Sequence, residues 1–233
     1  MKAALMKLAS LRTIIALILG ADMVAQAGMI YNYGGSAYDI PDGNLAGAYS
    51  QITVSGADSP LSDISVAINI SGGYNGDLYA YLSHNGVLVP LLNRIGVSGA
   101  SAFGVSGAGM NVILSDASGF NGNLHAAGSD FLSGRWQPDG QAISPLSSAS
   151  SFSPTGGSVT LDGAFRNVDP NGTWTLFFAD VSAGGGQATL NGWSLNITTV
   201  PEPVSAALGC FAGVILLVTL LRSQRVRKFI DGR

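Results

Sequence analysis

Between residues 28 and 200 the apolar side chains recur at every second position, and this period dictates the fold class. Ile64, Val66, Ile68 and Ile70 alternate with Ser65, Ala67 and Asn69, which describes a strand with one buried face. Leu78–Leu82 and Val87–Leu92 predict two more strands, joined through Ser83-His-Asn-Gly86, where Asn-Gly marks a hairpin turn. Val112–Leu114, Val159–Leu161 and Trp174–Phe178 follow. In the last strand Trp193, Leu195 and Ile197 alternate with Ser194, Asn196 and Thr198. No stretch sustains a helical period with caps. Short strands divided by Gly, Asn, Asp and Ser turns predict an all-β chain, a β-sandwich of the jelly-roll kind.

Charge divides the chain into three parts. Residues 28–200 carry only Arg94, Arg135 and Arg166 against eleven Asp, a net charge of −8, whereas the whole chain stands at −3. The remaining basic residues lie at the two ends. An acidic, Gly-rich middle offers no basic footprint for phosphates and excludes nucleic acid as a partner. A single Cys, Cys210, excludes an intrachain disulfide framework and a Cys-based zinc site.

Residues 1–27 read as a secretory signal peptide. Lys2, Lys7 and Arg12 precede the short apolar run Thr13–Gly20, and Ala25 and Ala27 place small residues for cleavage before Gly28. Export machinery of the Sec type and a signal peptidase are the partners this implies. At the other end, residues 204–221 hold 18 residues without a charge, close to the minimum for a transmembrane helix. Arg222, Arg225, Arg227 and Lys228 follow directly and form a basic stop-transfer cluster. By the positive-inside rule, the tail 222–233 stays cytoplasmic and the middle faces outward.

Val200-Pro201-Glu202-Pro203 stands immediately before the apolar segment, and Glu202 is the only Glu in the protein. The order Pro-Glu-Pro, short apolar helix, Arg-rich tail resembles the PEP-CTERM sorting signal. That resemblance implies export by a Gram-negative bacterium, recognition by an exosortase-type membrane protease, and removal of the helix near residues 200–203. Without processing, the same segment would be a plain membrane anchor.

Within residues 28–199 a second resemblance rests on Gly76-Asp77-Leu78, on Asn171-Gly-Thr-Trp-Thr-Leu176 with Asp180, and on Leu190-Asn-Gly-Trp-Ser-Leu195. These resemble the P domain (P/Homo B domain) of proprotein convertases, a β-sandwich jelly roll that usually stands beside a protease unit. Ile40–Asn44 and Leu91–Arg94 look like bacterial members. Asp77, Asp116 and Asp180 match acidic positions of that family, some members of which bind calcium. The same aspartates also read as turn caps. The loop 181–189 lacks the Asp that often precedes the closing Trp motif.

Residue chemistry for catalysis is sparse. His84, beside the Asn-Gly turn, and His125, in the Gly/Asn-rich segment 119–128, read as surface-loop histidines without a motif partner. There is no Gly-x-Ser-x-Gly elbow, no Walker motif and no His-Glu-x-x-His. Residues 95–109, with Gly-Val-Ser-Gly-Ala at 96–100 and 104–108, and residues 143–158 read as surface loops. The expectation is a non-enzymatic module at the cell surface or in extracellular polysaccharide. The alternative is a carbohydrate- or protein-binding module using loop aromatics, with Trp136 in Gly134–Pro138 and Tyr74 as the candidate contacts.

Overall fold

The computed structural model describes residues 28–117, 121–128, 131–200, 211–215, 218, 219 and 222. The expected signal peptide with Ala25 and Ala27, the Pro201–Pro203 motif, most of the 204–221 segment, and Arg225, Arg227 and Lys228 lie outside these residues. Residues 211–215, 218, 219 and 222 are helical. Among the described residues no helix is long and apolar enough to cross a membrane.

Among the described residues the fold is all-β, with ten strands in two sheets. The strands are β1 (Met29–Gly35), β2 (Tyr38–Ile40), β3 (Asn44–Val54), β4 (Leu61–Ser71), β5 (Leu78–His84), β6 (Val87–Asn93), β7 (Met110–Ser115), β8 (Leu132–Trp136), β9 (Gly172–Asp180) and β10 (Ala188–Thr199). One sheet runs β1-β10-β4-β7-β8, with β2 also paired to β10; the other runs β3-β9-β5-β6. All pairings are antiparallel except β7 with β8. The inner faces of both sheets close on one apolar core.

The period-2 segments form strands because each has one face to bury. Leu61, Ile64, Val66, Ile68 and Ile70 of β4 are all buried, and so are Leu78, Ala80 and Leu82 of β5 and Trp174, Leu176 and Phe178 of β9. Asn85 and Gly86 take positive φ of 48° and 80°, and His84 pairs with Val87 across them. That is the two-residue hairpin geometry whose twist suits the flanking strands. In β10, Leu190 and Trp193 both point inward although three positions apart. A register shift between Leu190 and Gly192 against β4 restores the parity. The strand therefore extends to Ala188, before the alternation that starts at Trp193.

The strand expected at Val159–Leu161 is instead the approach to a helix, α1 (Leu161–Phe165). Thr160 caps it, its Oγ1 accepting from Gly163 N at 3.0 Å. Leu161 and Phe165, four residues apart, are both buried and close one end of the sandwich. One helical turn is too short to show a period in sequence. Trp136, expected in a loop, ends strand β8 and is half-buried against the core.

Trp174 is the largest fully buried side chain. Its indole N–H donates to Pro170 O at 2.8 Å, Phe165 meets it edge-on at 4.9 Å, and His84 stacks on it at 4.0 Å with an interplanar angle of 1°. His84 is thus a core residue rather than a surface-loop one. Its Nδ1 and Nε2 lie 3.1 Å and 3.0 Å from the carbonyl oxygens of Thr173 and Asp169.

Candidate functional site

Two polar centres stand out in a body that has few charges. The first is acidic and sits where β4 ends. A short 3-10 turn, Asn75–Asp77, leads into β5, and Leu78 pairs with Asp180 at the end of β9, which also pairs with Asn44 at the start of β3. This register brings Asp77, Asp180 and Asp42 to one end of the sandwich. The glycine of Gly76-Asp77-Leu78 is required here by close approach. A Cβ at Gly76 would meet the backbone of Phe103 and Val105, and Gly76 N donates to Val105 O at 2.9 Å.

Asp180 is fully buried, and its Oδ1 accepts from Ser182 N at 3.1 Å. Its Oδ2 is buried without a hydrogen-bond partner. Burial pushes the Asp180 carboxyl up to about 6; the Ser182 N–H and, more weakly, that of Gly43 oppose this, and the nearby Asp77 and Asp42 charges add to it. Asp77 is also raised, by burial first, with Arg94 pulling down and Asp42 pushing up. Asp77 opens onto a cavity of about 290 Å³, which Tyr74, Phe103, Ser182 and Gly185 also line. Tyr74 is exposed, and one part of its ring lies so close to Gly185 that a Cβ there would strike it.

Asp116 does not belong to this group. It lies at the opposite end, just past β7, where its Oδ2 accepts from Asp162 N at 2.6 Å at the first turn of α1. Its carboxyl is raised by burial and held back by hydrogen bonds from Asp162, Thr160 and Leu161. Of the three aspartates singled out in sequence, the fold brings Asp77 and Asp180 together and gives Asp116 to a helix start. Asp42, which sequence reasoning missed, joins the pair; it precedes Gly43, whose positive φ of 58° marks the turn that places it.

The second centre is buried and carries His125. Far from a surface loop, His125 is fully buried together with Asp139. Its Nδ1 lies 2.7 Å from Asp139 Oδ2 and its Nε2 lies 2.9 Å from Val97 O. Both ring nitrogens face acceptors, so the ring satisfies them only as imidazolium. Burial works against that charge, but the hydrogen bond and charge of Asp139 outweigh it, and the His125 pKa is raised. Asp139 also accepts from Asn93 N at 3.1 Å and Gln141 N at 3.2 Å. Asn93 in turn donates to Gln141 O and Ile143 O, and Gln141 accepts from Ser153 N at 2.6 Å. The network pins the segments 95–109 and 137–158 to β6. Neither segment is simply a surface loop, since Ile95, Val97 and Phe152 are buried.

The His125–Asp139 spacing matches the base and orienting acid of a hydrolytic triad. Here, however, Nε2 is directed at a backbone carbonyl rather than at a hydroxyl. Trp136 likewise uses its indole N–H internally, on Ser133 O at 2.9 Å. Among the described residues no group of three or more His, Cys, Asp or Glu is close enough to share a metal ion.

The site and fold therefore define an all-β sandwich with an acidic, aromatic-rimmed end and a buried ionic lock. No protein-family model matches the chain, and no curated protein does. Among solved structures the chain is similar to one in the complex of the Aeromonas sobria serine protease with its chaperone ORF2. The match has 14% identity and a TM-score of 0.38, and covers 80% of this chain and 30% of the other.

Proposed function

We propose that the chain is a non-enzymatic surface module of the P-domain-like jelly-roll kind, exported behind residues 1–27 and sorted at Val200–Pro203 by an exosortase-type protease. What supports this reading is the pairing of β1 with β10. Met29 lies opposite Thr199, so the chain enters and leaves the sandwich side by side at one end. Val200 N donates to Pro60 O at 2.9 Å, which holds the last residue before the Pro-Glu-Pro motif on the folded body. Gly28 and Val200, the described residues next to the two proposed cleavage sites, thus lie exposed and outside the strands, and removal of residues 1–27 and 201–233 leaves each of the ten strands intact. Mass spectrometry of the protein from its native host is expected to find an N-terminus at Gly28 and a C-terminus near Pro201–Pro203. An intact tail through Lys228 on surface-located protein would refute processing and leave a plainly anchored ectodomain.

A structural calcium ion at the acidic end is part of the same proposal. The buried, unpartnered Asp180 Oδ2 beside Asp77 is the observation in its favour, since hard cations take carboxylate, carbonyl and water oxygens. Asp77 and Asp180 would hold it, with Asp42 adding negative charge from the adjoining turn. The raised Asp180 carboxyl fixes the pH dependence. Its folded-state value of about 6 exceeds the unfolded value near 3.8, so the metal-free fold loses stability as pH rises through about 4 to 6. Calcium competes with the proton, so its affinity should rise over the same interval. Calorimetric titration and thermal melting of the full-length protein in detergent are expected to show binding and a higher melting temperature at pH 7. Both should weaken at pH 5 and be lost in Asp180→Asn. No heat and no shift at pH 7 would end the calcium proposal.

A further inference from the structure

The outer face of the four-stranded sheet carries an aromatic row that the core does not use. Tyr49 on β3 pairs with Phe177 on β9, Phe177 pairs with Tyr81 on β5, and Tyr81 pairs with Pro90 on β6. Tyr81 and Phe177 stack at 4.8 Å and 17°, and Tyr79 stands 6.0 Å from Tyr81 and 6.4 Å from Phe177. Tyr49 is 65% exposed, an unusual position for a large aromatic with neighbours already arranged beside it. The cluster is rigid at its base: Gly47 has φ of 56°, and a Cβ there would strike the Phe177 ring, so the ring lies directly over the β3 backbone. The adjoining row on the same face is Gln51, Thr175, Ser83 and Leu88, in which Gln51 Nε2 donates to Thr175 Oγ1 at 3.1 Å.

We propose that this face binds a neutral polysaccharide. Three adjacent strands about 4.8 Å apart spread Tyr49, Phe177 and Tyr81 over roughly 10 Å. The strip offers apolar rings to the C–H faces of a sugar, and phenol, hydroxyl and amide groups to its hydroxyls. None of the residues named on this face is charged, so an uncharged chain is seated without desolvating an ion. The charge of −8 over residues 28–200 opposes a polyanionic glycan, and it equally opposes a second copy of this chain laid against the same face. The surface is separate from the Tyr74 cavity and does not depend on the sorting signal. It can therefore fail while processing at both ends stands, and the reverse also holds.

The test is co-sedimentation of the full-length protein in detergent with insoluble cellulose, starch and a β-1,3-glucan, with alginate gel as the anionic control. Retention on at least one neutral polysaccharide is expected, unchanged at high salt and absent on alginate. Tyr49→Ala and Tyr81→Ala should each weaken it about tenfold, close to 1.4 kcal/mol, while Tyr81→Phe should keep most of it. Thermal melts of each variant confirm that the sandwich persists. A variant that does not fold is replaced by Gln51→Ala, for which a weakening of severalfold is expected and unchanged retention counts against the proposal. Absence of retention on all three neutral polysaccharides overturns it, as does retention indifferent to Tyr49 and Tyr81. Self-association abolished by Tyr49→Ala would assign the face to a second copy and overturn it equally.

Discussion

Replacing Asp139 by Asn is expected to destabilise the protein by about 3–5 kcal/mol, the cost typical of leaving one partner of a buried ion pair uncompensated. The isosteric change preserves volume, so the loss reports electrostatics and hydrogen bonding rather than a cavity. Asp139 receives three donors, from His125, Asn93 and Gln141. An Asn amide has one acceptor oxygen, so its NH₂ group must face at least one of those N–H groups. His125 would also lose the charge that offsets its burial. The pH dependence follows from the raised His125 pKa. A histidine whose folded-state pKa lies above its unfolded value contributes stability that is complete below the unfolded value of about 6.5 and lost as pH rises through the folded one. The gap between wild type and Asp139→Asn should accordingly be widest at pH 6 and narrow on the alkaline side. Urea unfolding followed by circular dichroism at pH 6 and pH 9 measures it. A difference below about 1 kcal/mol at pH 6 would show that the pair does not act as an ionic lock.

Trp174→Ala is expected to cost about 3–5 kcal/mol, in the range for deleting a fully buried indole. Trp174 holds three elements at once: the His84 ring at the end of β5, Phe165 on α1, and Pro170 in the turn entering β9. Its removal leaves a cavity beneath α1 and strips the apolar contact from the buried His84. For a sandwich of this size the loss corresponds to a fall in melting temperature of about 6–20 °C. Trp174→Phe keeps a ring for the stack but not the indole donor, and should recover most of the difference. Equal melting temperatures for wild type and Trp174→Ala would show that the end of the sandwich closes without the indole.

The readable part of the fold was the part where one face alone is buried. Ile64–Ile70, Leu78–Leu82 and Trp193–Ile197 alternate cleanly because their outer faces meet solvent. The strands at the start of the domain were not legible. β1 reads Met-Ile-Tyr-Asn-Tyr-Gly-Gly at a sheet edge, and β3 is mostly exposed over its first half, so neither has a continuous buried face to pattern. β8 was hidden for a related reason: it is a five-residue edge strand with only Leu132 buried. Val159–Leu161 resembled a strand because three residues cannot distinguish a period of two from the approach to one helical turn.

The two polar centres divide in the same way. Asp77 and Asp180 could be picked out by their place next to apolar strands, but their partner Asp42 stands 35 residues before Asp77 in a Pro-Asp-Gly turn of ordinary appearance. Asp116 looked equivalent to them, and only the direction of β7 sends it to the other end. His84 and His125 sit among Asn and Gly, and local composition placed them on the surface. Long-range packing buries them, because the carbonyls of Val97 and Thr173 and the Asp139 carboxylate arrive from distant segments.

By itself, the order of residues determined an all-β body poor in charge, because alternation and turn chemistry act within a few positions and need no partner. Which strands pair, which aspartates meet, which histidines are buried and which aromatics line an outer face were decided only by the tertiary structure. Each depends on register between segments as far as 170 residues apart, as with Met29 and Thr199, and register is an energy of burial shared by two strands rather than a property of either one.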